Sequence, residues 1–244
     1  DAALPGAAAG LEAVAEAGLR RLFVTNNPTR TPAAYAERFG RAGFDVAPSE
    51  VLTAGTVTVR YLRERHADDR TYLIGEAGLR DQLSAAGQRL VDEPGAAEVV
   101  VASIDRSFDY ETLSRALWAL ADDGVTLVGT DPDAVIPAAD ADRPGSGAII
   151  DAVASVAGRT PDAVLGKPSR LARDLVLDRL ELPPEACLVV GDRLDTDVAL
   201  GAEAGMRTAL VRSGVTDDAA LARSGVRPDH VLDSLADLPE LLPD

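Results

Sequence analysis

Three short segments of the sequence combine residue types that could bind a phosphate group and a hard metal ion. The first is 188–197 (LVVGDRLDTD), in which an apolar run ends in three carboxylates, Asp192, Asp195 and Asp197. Mg²⁺ takes oxygen ligands and usually binds one or two protein carboxylates together with water and phosphate. Acidic residues can also cap a following helix, and that interpretation fits Asp195 well. It fits Asp192 poorly, because Asp192 stands directly at the strand end behind Gly191.

The second segment is 165–169 (LGKPS), which contains Lys167. Of the 24 basic residues, Lys167 is the only lysine. Arginine cannot replace lysine where a compact point charge must fit. A fixed ammonium suits a phosphoryl oxygen or a carboxylate nucleophile. A solvated loop lysine is the ordinary alternative, and the scarcity of lysine favours a chemical role.

The third segment is 24–30 (VTNNPTR), where a short apolar strand ends in Thr25 and in the only two asparagines of the chain, Asn26 and Asn27. In open α/β sheets, ligands bind beyond the carboxyl ends of strands. A hydroxyl and exposed N–H groups at that position can bind phosphate. The same residue types are also ordinary in a plain strand-to-helix turn, so this segment alone leaves both interpretations open.

The elements that must position these segments alternate between buried strands and amphipathic helices. Strands separated by helices of about ten or more residues indicate right-handed crossovers and a parallel sheet, and therefore an α/β fold. The predicted strands are 21–25, 51–53, 72–75, 98–104, 125–129, 187–190, 208–211 and 231–232. The predicted helices are 5–17, 31–43, 56–66, 76–86, 110–122, 147–157, 169–180 and 195–204, and a last helix that follows 231–232 to residue 244.

Composition excludes several classes of function. The net charge of −16 argues against electrostatic binding to nucleic acid or to anionic lipid. No apolar run is long enough to span a membrane. The single cysteine, Cys187, lies in an apolar run and is predicted to be buried; without a partner for a disulfide, it favours a cytoplasmic protein.

Taken together and in this order, the three segments resemble motifs II, III and IV of the haloacid dehalogenase (HAD) superfamily. The similarity is closest to subfamily IIA, the p-nitrophenyl phosphatase, phosphoglycolate phosphatase and glycerol-3-phosphate phosphatase type. Further matches, which spread over nearly the whole chain, are 74–79 (IGEAGL), 144–147 (PGSG), 204–206 (AGM) and 212–215 (RSGV). The resemblance implies a Rossmann-like parallel-sheet core, residues 1–71 and 159–244, with an inserted α/β cap of the C2 type, residues 72–158.

The resemblance also implies a reaction and a set of site residues. The expected activity is Mg²⁺-dependent hydrolysis of small phosphorylated metabolites, such as glycerol phosphate or phosphoglycolate, through an aspartyl-phosphate intermediate. A homodimer through the cap is expected at the family level. The residues carried over for phosphate are Thr25, Asn26, Asn27 and Lys167, of which Thr25 and Lys167 take part in catalysis. The residues carried over for the metal are Asp192, as a ligand, and Asp197, as an occasional metal partner that positions the site.

The sequence departs from the family pattern at two places. Motif I, Asp-x-Asp-Gly, does not occur in residues 1–244, so the nucleophilic aspartate is expected upstream of residue 1. The family usually has asparagine where Asp131 stands. A non-catalytic phosphometabolite-binding or regulatory protein on the same fold is the alternative function.

Overall fold

The computed structural model describes residues 3–138 and 140–243, and it confirms the predicted α/β class. The strands are β1 (Phe23–Thr25), β2 (Val51–Thr53), β3 (Arg70–Ile74), β4 (Arg89–Val91), β5 (Val99–Ala102), β6 (Thr126–Gly129), β7 (Val135–Ile136), β8 (Arg143–Pro144), β9 (Ala163–Val164), β10 (Leu188–Gly191), β11 (Arg207–Val211) and β12 (His230–Leu232). The α-helices are α1 (Ala7–Glu16), α2 (Pro32–Arg41), α3 (Ala54–Arg65), α4 (Ala77–Ala85), α5 (Tyr110–Ala119), α6 (Ser146–Ala157), α7 (Arg170–Leu180), α8 (Ala199–Ala204) and α9 (Asp218–Arg223).

The chain divides into two compact units. One unit consists of Val24–Tyr35 and Leu52–Gly166, and it contains the five-stranded sheet, which is the larger one. Its parallel strands follow the order β4-β3-β5-β6-β9. The central strand β5 is buried throughout, as expected for a strand covered on both faces. Helices α5 and α6 contribute to the same core. Buried side chains of this core include Ile74, Val100, Leu127, Ile150 and Val153.

The other unit comprises Asp1–Phe23, Ala36–Val51 and Lys167–Asp244. Its sheet is parallel, with the order β10-β11-β12, and α8 connects the first two strands. Ala209, Val211 and Leu232 form one buried cluster of this sheet. The carboxyl end of β10 leads directly into the acidic segment that the sequence analysis singled out.

Two smaller sheets accompany these units: β1 pairs with β2, and β7 pairs antiparallel with β8. Strands β4, β7, β8 and β9 were not predicted; β4 pairs with β3, β9 with β6, and β7 with β8. Cys187 is buried, as predicted. In the described residues no helix is both long and apolar enough to cross a membrane. The boundaries expected for core and cap stay a prediction.

Candidate active site

The turn after β10 is organised by Asp197. Residues Leu194–Val198 form a single π-helical turn, which brings the Asp197 carboxylate back to the strand end. Its Oδ2 accepts hydrogen bonds from the N–H groups of Asp192 at 3.2 Å and of Arg193 at 3.1 Å. Gly191 makes this possible, because a Cβ at that position would overlap the Asp197 side chain. Asp197 therefore shapes the turn that presents Asp192.

Lys167 joins the same carboxylate. Its Nζ donates to Asp197 Oδ1 at 2.5 Å, and both side chains are nearly buried, with 11% and 10% of their surface exposed. A charge-assisted contact of this kind is stronger than a neutral hydrogen bond and is little screened by solvent. The alternative of a solvated loop lysine is thus not met, and the ammonium is held by Asp197, whose other oxygen accepts from the Asp192 N–H.

Asp192 itself is held by the segment that follows β11. Its Oδ2 accepts from the Val215 N–H at 2.9 Å, and its carbonyl oxygen accepts from the N–H and the hydroxyl of Thr216. Gly214 packs against its Cβ so closely that any side chain there would overlap it. Within the described part of the chain, Asp192 Oδ1 accepts no hydrogen bond. One carboxylate oxygen is therefore oriented by the backbone, and the other can bind a cation.

The turn after β1 is shaped by its own side chains. The Asn27 N–H donates to Thr25 Oγ1 at 3.2 Å, and Asn27 Oδ1 accepts from the N–H and the hydroxyl of Thr29, at 2.9 and 2.7 Å. Asn26 is buried. A hydroxyl group can accept and donate at the same time, so Thr25 can accept from the Asn27 N–H and donate its own O–H proton to a ligand.

One predicted role is wrong. Asp195 does not cap a helix, since the residue at the N-cap position is Arg193 and no side chain caps this turn. Asp195 lies inside the turn, is exposed, and accepts two hydrogen bonds from the Arg193 guanidinium, at 3.2 and 2.9 Å. A carboxylate in the first turn still interacts favourably with the helix dipole.

The described residues contain no group of three or more His, Cys, Asp or Glu side chains that could hold a metal. Both Asp197 oxygens are engaged, by Lys167 and by two N–H groups. Asp192 Oδ1 remains as a hard oxygen donor. This fits Mg²⁺, which takes as few as one or two protein carboxylates and completes its shell with water and phosphate oxygens.

Similarity to known proteins covers nearly the whole chain. The family model described as haloacid dehalogenase-like hydrolase matches residues 1–89, and the one described as HAD-hydrolase-like matches residues 164–238. Human glycerol-3-phosphate phosphatase is 35% identical, over 98% of this chain and 85% of that protein. The chain belongs to the HAD superfamily. This confirms the resemblance seen in the sequence, including its subfamily IIA character.

Other relatives of this HAD hydrolase are phosphatases too. Dihydroxyacetone phosphatase from Corynebacterium glutamicum (strain R) is 32% identical, over 96% of this chain and 84% of that protein. The solved structure of p-nitrophenyl phosphatase from Archaeoglobus fulgidus superposes with a TM-score of 0.91 at 36% identity, covering 98% of this chain and 92% of that chain. The predicted enzyme class, a phosphoric monoester hydrolase, is confirmed. HAD-family phosphatases are generally metal-dependent.

The segment from Gly214 to Thr216 was not predicted as part of the site. It entered the sequence analysis only as a stretch of family similarity. Its contribution is made by backbone N–H groups, a threonine hydroxyl and the absence of a side chain at Gly214. The residue types of a segment do not predict such contacts, because every residue except proline carries a backbone N–H group.

Proposed function

We propose that this HAD hydrolase is a Mg²⁺-dependent phosphatase that hydrolyses small phosphate monoesters, such as glycerol phosphate or phosphoglycolate, through an aspartyl-phosphate intermediate. The observation that carries the proposal is the linked set of Lys167, Asp197 and Asp192. It combines a nearly buried ammonium with a carboxylate whose one oxygen is fixed by the backbone. Phosphoryl transfer through an aspartyl-phosphate needs positioned positive charge to balance the negative charge of the phosphate and of the attacking carboxylate, and Lys167 in this set can supply it.

The metal would be held by Asp192 through Oδ1, with Asp197 fixing the turn from which Asp192 projects. When bound, Mg²⁺ supplies a Lewis acid that neutralises charge on phosphoryl oxygens. Within this chain, the role of Asp192 is to offer an oriented oxygen. The role of Asp197 is to keep the ammonium of Lys167 and the strand end in a constant arrangement.

Phosphate binding is proposed for Thr25, Asn26, Asn27 and Lys167. Thr25 donates its hydroxyl proton to a phosphoryl oxygen, while the Asn27 N–H and side chain set the turn that positions Thr25. Lys167 neutralises negative charge on the phosphate and on the attacking carboxylate. That carboxylate belongs to motif I, which residues 1–244 do not contain.

We also propose that residues 72–158 form a cap, which selects the leaving group and pairs with a second cap in a homodimer. The proposed location of the protein is the cytoplasm.

The test measures p-nitrophenyl phosphate hydrolysis by the full-length native protein, with Mg²⁺ and with EDTA. Asp192→Asn is expected to lower kcat/KM by at least about 10²-fold, the scale of losing one charge-stabilising contact. Asp195→Asn is the matched control: it is the same substitution three residues away, on an exposed carboxylate that accepts hydrogen bonds from Arg193. It is expected to retain wild-type turnover and wild-type dependence on Mg²⁺.

Two results would contradict the proposal. One is turnover that EDTA leaves unchanged, which would remove the metal from the reaction. The other is an equal loss in both variants, which would mean that the acidic turn matters for folding rather than for the metal. Folding of each variant is checked by circular dichroism before its kinetics are compared.

A further inference from the structure

A buried polar cluster lies at the carboxyl ends of β5 and β6, apart from the residues assigned above. Its members are Ser103, which follows β5, Thr130 and Asp131, which follow β6, and Ser146, the first residue of α6. Asp131 is only 2% exposed, and the other three are equally inaccessible. A carboxyl group at such a depth requires an explanation, because burial of a charge without a compensating partner is costly.

The partners of Asp131 are neutral. Thr130 Oγ1 lies 3.0 Å from Asp131 Oδ2 and 2.9 Å from Ser103 Oγ, and the Asp133 N–H donates to Asp131 Oδ1 at 3.2 Å. The Ser146 hydroxyl also bonds to the carboxyl group. Hydroxyl groups can donate or accept, so they accommodate either protonation state. They bring no positive charge that would compensate an ionised carboxylate.

The charged groups around Asp131 also favour its neutral form. Asp133 repels a negative charge on Asp131. Lys167, which follows Gly166 in the chain, has its ammonium bound to Asp197. Burial, the dominant cause, raises the pKa of Asp131 to about 7; Asp133 adds to that increase, and the hydrogen bonds from Ser146, Thr130 and the Asp133 N–H oppose it. At neutral pH a large share of the molecules therefore carries a neutral Asp131.

Gly166 connects this cluster to the turn after β1. It follows β9, which pairs with β6, so Gly166 and Asp131 lie at the same edge of the sheet. Its φ is +73°, and a Cβ there would lie 2.8 Å from Asn26 Oδ1 and 3.0 Å from both Asp131 Cβ and the Thr130 carbonyl oxygen. The buried Asn26 side chain, the Gly166 backbone and the Thr130–Asp131 segment are thus in close packing.

We propose that Asp131 is a positioning residue that, as the neutral acid, holds Asn26 and Gly166 in the arrangement required by the phosphate-binding turn, and that its ionisation disturbs that arrangement. An ionised carboxylate needs water or additional donors, and because the Asp131 side chain is only 2% exposed, it can gain them only if its neighbours move. Gly166 is one of those neighbours and packs against Asp131 Cβ and Asn26 Oδ1. Asn26 stands between Thr25 and Asn27 in the sequence, so a displacement of Asn26 also moves these two residues of the turn after β1. The effect on catalysis rests on the proposed function.

Amide NMR of the full-length native protein tests the structural part directly. The N–H resonances of Asn26 and Gly166 are expected to titrate together between pH 5.5 and 8.5, with one midpoint near 7. Asp131→Asn, which keeps the shape of a neutral carboxyl, is expected to abolish this titration. Asp133→Asn is the control; it should retain the titration and move its midpoint to lower pH, since it removes a neighbouring negative charge.

Kinetics with p-nitrophenyl phosphate in Mg²⁺ test the consequence. The ratio of kcat/KM of Asp131→Asn to that of wild type is expected to rise by about tenfold from pH 6 to pH 8, as for an essential protonated group with a pKa near 7. Asp131→Ala, which loses the hydrogen bonds as well as the charge, should be impaired at every pH. A merely structural role would instead give a ratio that does not depend on pH.

The two proposals fail in different ways. If the amides of Asn26 and Gly166 do not titrate in the wild type, or titrate equally in Asp131→Asn, the role of Asp131 is overturned even if turnover is high. A constant kcat/KM ratio between pH 6 and 8 would overturn it as well. If the amides titrate as expected but no variant hydrolyses the ester, the positioning role is supported and the proposed function is contradicted.

Discussion

At the scale of single residues, the acidic turn shows how similar side chains take different tasks. Asp195 and Asp197 are two positions apart in a π-helical turn. Asp195 faces solvent with Arg193, whereas Asp197 uses both oxygens inside the protein, for Lys167 and for two N–H groups. An exposed ion pair contributes little to stability, while removing one member of a buried pair leaves an uncompensated charge. The two aspartates should therefore differ in their effect on stability.

Asp197→Ala is expected to lower the free energy of unfolding by about 3 kcal/mol, because it leaves the Lys167 ammonium nearly buried without its carboxylate. Asp195→Ala, the matched control, is expected to lower it by less than about 1 kcal/mol. Urea denaturation followed by circular dichroism measures both values. Equal values would mean that the Lys167–Asp197 pair contributes no more than an exposed one.

At the scale of elements, the sites depend on strand ends that come close together. Gly214 follows β11 and Gly191 ends β10, two neighbouring strands of one parallel sheet. A Cβ at either glycine would overlap an aspartate, Asp192 at Gly214 and Asp197 at Gly191. Neither glycine has a positive φ, so backbone conformation does not require them. The requirement comes from the close approach of an aspartate side chain to each glycine.

Gly214→Ala is expected to displace Asp192, and thereby to weaken Mg²⁺ binding measured by isothermal titration calorimetry. Overpacking of this kind also costs about 1–3 kcal/mol of stability. Gly225→Ala is the control, because a Cβ at Gly225 meets no atom within 4 Å. Wild-type Mg²⁺ affinity in Gly214→Ala would show that Asp192 does not ligate the metal.

At the scale of the whole molecule, the chain carries a net charge of −16. Asp131 differs from an ordinary carboxylate, because folding favours its neutral, protonated form. Burial raises its pKa from the ordinary value of 3.8 to about 7. In this range the folded protein binds the proton more tightly than the unfolded chain does. The contribution of Asp131 to stability is thus fully present below about pH 4 and is lost as pH rises through 7.

Asp131→Asn is expected to remove this dependence. The free energy of unfolding of the variant, minus that of the wild type, should increase from pH 4 to pH 7 and change little above pH 8. One pKa unit corresponds to about 1.4 kcal/mol, so the total change is a few kcal/mol. Urea denaturation at several pH values measures it, since the subtraction cancels the other titrating groups. A difference that falls with pH would mean that Asp131 is ionised in the folded protein.

Much of the fold could be predicted because it depends on local patterns. Helix α6, predicted at 147–157, lies at Ser146–Ala157, and the buried strand predicted at 98–104 contains β5. Alternation of such elements specifies an α/β fold through general rules of chain connection. The short strands β4 and β9 could not be predicted, since each forms only through pairing with β3 or β6.

The sequence by itself determined which residue types stand at the strand ends, including the single lysine and the aspartates of segment 188–197. Only the tertiary structure decided their tasks. It paired Lys167 with Asp197, directed Asp192 Oδ2 to Val215, and buried Asp131 beside Thr130, Ser146 and Gly166. The physical reason is that residue type and strand propensity are local, whereas desolvation and hydrogen-bond partners depend on residues that are far away along the chain.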